Sequence, residues 1–224
     1  MPRKVLAISV HPDDETLGCG GTLLRHRADG DQVSWLIVTR AHAPQWTAEI
    51  IESKAGEIER VAAAYGMSGV VRLGLPTVRL DALPQAEVMD ALRGGIEGLQ
   101  PEIVYLVHGG DVHSDHRVVF QSTMCVLKAF SMGKLGVRRV LSYETLSSTE
   151  AAPPEGGRQF LPNVYHDVTS YLERKLEIMA LYATEAQGDP WPRGPAAIRA
   201  LARYRGATVG VEYAEAFMLI REVG

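Results

Sequence analysis

LAISVHPDDETLGCGG, residues 6–21, opens as an apolar strand and halts on His11, Asp13, Asp14 and Glu15. The unbroken apolar run over residues 5–10 suits a strand covered on both faces, as in a parallel sheet. Three adjacent acids repel one another unless a positive charge sits among them. The turn therefore calls for a cation, either from elsewhere in the chain or from solution. Gly18 and Gly20 begin like a dinucleotide-binding fingerprint, but Leu23 stands where its third glycine or alanine belongs. The glycines are read instead as room for the first helix (residues 15–27) to lie close to the sheet, with Cys19 packed there.

The same alternation continues downstream. Strands are expected at QVSWLIVT (32–39), GVVRLGL (69–75) and EIVYLV (102–107). Between them, WTAEIIESKAGEIERVAAAYG (46–66) reads as an amphipathic helix with Ile50, Ile58, Val61, Ala62 and Tyr65 on one side and Gly66 as its stop. PQAEVMDALRGGIEGLQP (84–101) is a further helix. Beyond His116 a helix is expected to about residue 132, then a strand at RRVLSYE (138–144). The prolines and glycines of 147–162 and 187–195 mark loops. NVYHDV (163–168) reads as a strand, and 169–185 as a helix opened by a Ser170–Glu173 capping box. A helix at 196–206 and a strand at 214–223 close the chain. The fold class is α/β: a Rossmann-like, doubly wound, mostly parallel sheet in three α/β/α layers, as one domain over 1–224. Ligands of such sheets bind at the carboxyl ends of the strands. HPDDE follows the first strand and HGGDVHSDH the fourth, so both belong on one rim.

The 224 residues carry a net charge of −4, which argues against a nucleic-acid partner. No apolar run reaches the roughly 20 residues of a membrane helix, and the N-terminus lacks a signal-peptide cleavage site. Cys19 and Cys125 form no disulfide framework, so a reduced, cytoplasmic protein is expected.

The rim collects His11, Asp14, His108, Asp111, His113, Asp115 and His116 from two loops. A catalytic zinc site takes three nitrogen or oxygen ligands and keeps one position open, a need that His11, Asp14 and His116 fit. His26, His42 and His166 are read as structural or surface residues.

HPDDE with the later HSDH resembles the LmbE-like (PIG-L) family of zinc-dependent de-N-acetylases. The likeness extends through SYETLSSTE, PNVYHDVTSYLERKLEIM and LARYRGATVGVEYAEAF; Val10 replaces the alanine that usually precedes the first motif. The resemblance implies a hydrolase that removes acetyl from N-acetylglucosamine-containing small molecules. It implies one Zn²⁺ per chain on His11, Asp14 and His116, although nitrogen and oxygen ligands also accept Fe²⁺. It further implies that Asp13 is the general base. His113 would stabilise the oxyanion or protonate the amine, and Asp115 would orient one of the two histidines beside it. Family members form trimers or hexamers, so a homo-oligomer is the expectation.

Trp46, Arg79 and Tyr143 are the candidate substrate contacts, with Glu144 and Arg158 near the same rim. GVEYAEAF, with Glu212 and Glu215, is expected to brace the pocket. The rival readings are an amidase for a larger acylated thiol–sugar conjugate, a two-metal phosphoesterase using Glu15 and Asp111, and a non-catalytic sugar-binding protein. A phosphoesterase differs in its metal count and a binder in releasing no acetate.

Overall fold

The computed structural model describes residues 2–154 and 156–224. Its first half follows the expected alternation: β1 (Lys4–Ser9), α1 (Asp14–Ala28), β2 (Gln32–Arg40), α2 (Ala48–Tyr65), β3 (Gly69–Pro76), α3 (Gln85–Leu99) and β4 (Ile103–Val107). There follow α4 (Ser114–Val126), α5 (Ala129–Met132), β5 (Arg139–Tyr143), β6 (Val164–Asp167), α6 (Leu172–Met179), α7 (Pro195–Val209) and β7 (Ala214–Glu222). The strands enter one sheet in the order β3-β2-β1-β4-β5-β7-β6. Neighbours from β3 to β5 pair in parallel, whereas β7 runs antiparallel to both β5 and β6. The order turns back between β1 and β4, and that switch point opens a crevice at their carboxyl ends.

Helices on both faces explain why the central strands are apolar without alternation. Leu6, Ala7, Ile8, Val104, Leu106 and Val107 are fully buried. Each large apolar side chain so buried contributes on the order of 1.5–3 kcal/mol.

Four local expectations are corrected. The first helix is kinked at Cys19 (φ −140°, ψ 16°), so α1 is two short helices end to end. The free amides after the kink, Gly21 and Thr22, donate to the Glu215 carboxylate at 2.8 and 2.7 Å. Lys175 Nζ donates to the Leu17 carbonyl at 2.9 Å and to Glu215 at 2.7 Å, closing the joint from the other side. Glu215 thus braces the motif-bearing helix. The close helix–sheet approach also holds, since a Cβ on Gly18 would lie 2.0 Å from the Tyr143 ring.

The helix expected beyond His116 begins earlier, at Ser114, and breaks at Leu127 (φ −93°, ψ 44°). Ser170 and Glu173 form no capping box, because α6 starts at Leu172 with Tyr171 as its cap residue. In α2, Thr47 caps the start and Gly66 ends it in the left-handed conformation (φ 64°), but Ile50 is exposed; the covered side is Glu57, Ile58, Val61 and Tyr65. Among the described residues no helix is long and apolar enough to cross a membrane.

Candidate metal centre and active-site cavity

Because β1 and β4 are hydrogen-bonded neighbours, the loops leaving their carboxyl ends meet. His11 follows β1, Asp14 begins α1, and His116 lies in the first turn of α4. One ligand atom from each lies within 4.8 Å of the others. His116 Nε2 is 3.4 Å from Asp14 Oδ1 and 3.4 Å from His11 Nδ1. The backs of all three side chains are held. Asp14 Oδ2 accepts the amides of Val10 and His11 at 2.9 and 2.8 Å, which leaves Oδ1 facing inward. His116 Nδ1 is 2.7 Å from Asp111 Oδ2, and His11 Nε2 is 3.3 Å from Asp115 Oδ2. Such outer carboxylates fix the ring and raise its basicity toward a metal.

Electrostatics agree with a cation site. Burial works to raise the Asp14 pKa, but His116 and His11 outweigh it and hold the carboxyl at about 2. Burial works to lower that of His116, but Asp14 and Asp111 push it up to about 10. His11, His113 and Asp115 form a second grouping within 4.8 Å, but it fits an ion less well. The Asp115 carboxylate already accepts the amides of Val78 and Leu80, and His113 Nδ1 accepts that of Asp115.

The three adjacent acids of the opening motif point to three different places. Asp14 faces the histidines. Glu15 turns inward and accepts from Ser9, Thr16 and Tyr182 at 2.9, 2.6 and 2.5 Å. Burial raises its pKa, and it is no spare metal ligand. Asp13 adopts a left-handed backbone (φ 131°, ψ −26°) and meets Arg193 Nη1 at 3.2 Å. Burial pushes the Asp13 carboxyl well above its usual range; Asp14 and Glu185 add to this, and Arg193 opposes it. One of the cations that the sequence asked for is therefore an arginine from a distant loop.

His113 caps α4, its Nδ1 accepting the Asp115 amide at 3.2 Å. That bond places the proton of the neutral ring on Nε2. Burial, then His11 and His116, lower its pKa to about 4, so the neutral donor is the resting form. The Asp115 carboxylate does not reach either histidine beside it in sequence. It holds His11 instead, and Asp111 holds His116.

His11, Asp13, Asp14, His113 and His116 line a cavity of about 670 Å³, whose walls also include Leu17, Ile58, Trp46 and Arg193. Arg79 is exposed and does not line this cavity. Tyr143 is corrected outright: it is fully buried, and its hydroxyl donates to the Ile8 carbonyl at 2.8 Å. Arg158 and Glu144 line a separate cavity of about 310 Å³, where Glu144 is paired with Arg205. Glu212 lies 3.9 Å from Arg203, away from the metal residues. Sequence reasoning missed Arg193, its partner Glu185, and Lys54, which pairs with Glu185. No periodicity or spacing marks them, and Arg193 sits in a segment readable only as a loop.

Residues 6–127 match the family model described as PIG-L: GlcNAc-PI de-N-acetylase. The chain is 28% identical over 171 residues to the uncharacterized deacetylase YaiS of Escherichia coli K12, spanning 74% of this chain and 82% of that one. Its fold is similar to that of the conserved protein TT1542 from Thermus thermophilus, with a TM-score of 0.78 and 24% identity over 99% and 96% of the two chains. It is also similar to 4-carboxy-2-hydroxymuconate hydratase GalB from Pseudomonas putida KT2440, with a TM-score of 0.70 and 16% identity over 99% and 98%.

Proposed function

The chain belongs to the GlcNAc-PI de-N-acetylase (PIG-L) family, and from that premise we propose that it is a zinc-dependent hydrolase that removes the N-acetyl group from an N-acetylglucosamine-type amino sugar or its conjugate. Fold alone does not support this reading, because a hydratase shares the architecture. The observation that carries it is the arrangement of five side chains: His11, Asp14 and His116 converging on one point, flanked by Asp13 and His113.

His11, Asp14 and His116 would hold the ion, and three nitrogen or oxygen donors are the set a catalytic zinc site uses. When bound, zinc supplies Lewis acidity, lowering the pKa of a water and polarising a carbonyl. Asp13 takes the proton of the attacking water and passes it to the departing nitrogen as the C–N bond breaks, so that acetate and the free amine leave. His113, neutral and protonated on Nε2, donates a hydrogen bond to the oxygen that gains charge as the amide carbonyl becomes tetrahedral. Asp115 and Asp111 keep His11 and His116 in register. The cavity falls in the size range of small-molecule sites, and Trp46 offers a face for the sugar. Glu15 and Asp111, which a two-metal phosphoesterase would need, are already engaged with Tyr182 and His116.

The test is a panel of N-acetylglucosamine and its lipid, nucleotide and inositol conjugates, with acetate and primary amine both quantified for the zinc-loaded protein. Equal yields of the two on at least one substrate are expected. Binding without release of either product would establish a sugar-binding protein.

A further inference from the structure

Arg193 reaches Asp13 across 180 positions of sequence. Its Nη1 is 3.2 Å from Asp13 Oδ2 and 2.6 Å from Glu185 Oε2. Glu185 Oε1 in turn accepts from Lys54 Nζ at 2.5 Å, so opposite charges alternate from α2 to the opening motif. Among the described residues, Arg193 is the one hydrogen-bond partner of the Asp13 carboxylate. The guanidinium is kept there although its buried Nε has no partner, which is costly for a polar group.

The loop is built to present this side chain. Gln187 Oε1 accepts the Arg193 amide at 3.2 Å, and the Gln187 amide donates back to the Arg193 carbonyl at 3.5 Å. Asp189 Oδ1 accepts the Ala196 amide at 3.0 Å, securing the loop to the start of α7. Gly194 permits the closed turn, since a Cβ there would lie 2.7 Å from Asp189 Oδ1. Asp13, by contrast, stands on an unfavourable backbone conformation, the kind that persists only where surroundings over-determine it.

We propose that Arg193 is a positioning residue for the general base. It grips one oxygen of the Asp13 carboxylate and fixes the direction in which the other faces the reacting water. Glu185 and Lys54 hold the guanidinium at that distance. This inference rests on the reading of Asp13 as the base of an N-deacetylase. A carboxylate displaced by about 1 Å can lose on the order of 100-fold in rate.

The experiment compares zinc-loaded wild type with Arg193→Ala, Arg193→Lys and Glu185→Gln on the best substrate of the panel. Metal content and thermal midpoint are recorded for each. In Arg193→Ala, kcat should fall by roughly 10- to 100-fold with one zinc per chain retained. Millimolar guanidinium should restore part of that loss in the Ala variant and leave wild type unchanged. Arg193→Lys and Glu185→Gln should fall between the two. Unchanged kcat in Arg193→Ala, or a loss that guanidinium does not repair, would overturn the proposal while the deacetylase reading stands. A wild type inactive on the whole panel would overturn both.

Discussion

Asp111 and His116 form the shortest carboxylate–imidazole contact at the metal centre, with Oδ2 2.7 Å from Nδ1. The contact commits one ring nitrogen and leaves Nε2 facing Asp14 and His11. Thr149 donates to the other Asp111 oxygen at 2.6 Å, so this carboxylate is itself oriented. Replacing Asp111 with Ala should weaken zinc binding by roughly 10- to 100-fold, the usual effect of losing an outer carboxylate. Competition against a chelator measures this, and unaltered affinity would show that His116 needs no support.

Ligands and base separate in a second set of variants. His116→Ala and Asp14→Asn should lose their zinc, as read by elemental analysis. Asp13→Asn and His113→Ala should keep it yet lose about 100- to 10,000-fold in kcat. Metal loss in the second pair would mean that neighbouring residues have exchanged roles.

Metal uptake should be coupled to protons. In the metal-free protein, burial opposes protonation of His116, but Asp14 and Asp111 prevail and raise its pKa from 6.5 to about 10. A folded-state value above the unfolded one stabilises the apo fold fully below about 6.5, a benefit lost as pH rises through about 10. Zinc competes for the same nitrogen. Its apparent affinity should therefore climb toward tenfold per pH unit between about 7 and 9. Calorimetric titrations at several pH values test this; a flat profile would contradict it.

Tyr143 should matter for stability alone. Tyr143→Phe removes the bond to the Ile8 carbonyl and should cost about 0.5–1.5 kcal/mol with kcat/KM unchanged. Gly18→Ala, which drives a methyl into the Tyr143 ring, should cost roughly 1–3 kcal/mol. Urea midpoints and steady-state kinetics on the same preparations give both answers.

The joint within α1 makes a sharper demand. Lys175 and Glu215 are both buried and meet at 2.7 Å. Lys175→Met would leave the Glu215 charge without its cation and should destabilise the protein by roughly 3–5 kcal/mol. A loss near zero would mean that the two amides on Glu215 suffice.

Much of the site could be read in sequence because it follows from short-range pattern. Apolar runs without alternation identify covered parallel strands, and His11, Asp14 and His116 lie in the segments that follow two of them. Once β1 and β4 pair, the rim rule brings these residues together without any detail of packing. Where each acid of the HPDDE motif points is a different matter. Glu15 turns inward because Ser9, Thr16 and Tyr182 offer it donors, and Tyr182 comes from beyond α6. The kink at Cys19 depends on Lys175 and Glu215, and the partner of Asp13 arrives from a loop 180 residues away. Periodicity carries no information about such meetings. They are decided by how loops and buried charges find partners once the sheet has formed, since a buried charge left unpaired is too costly to keep.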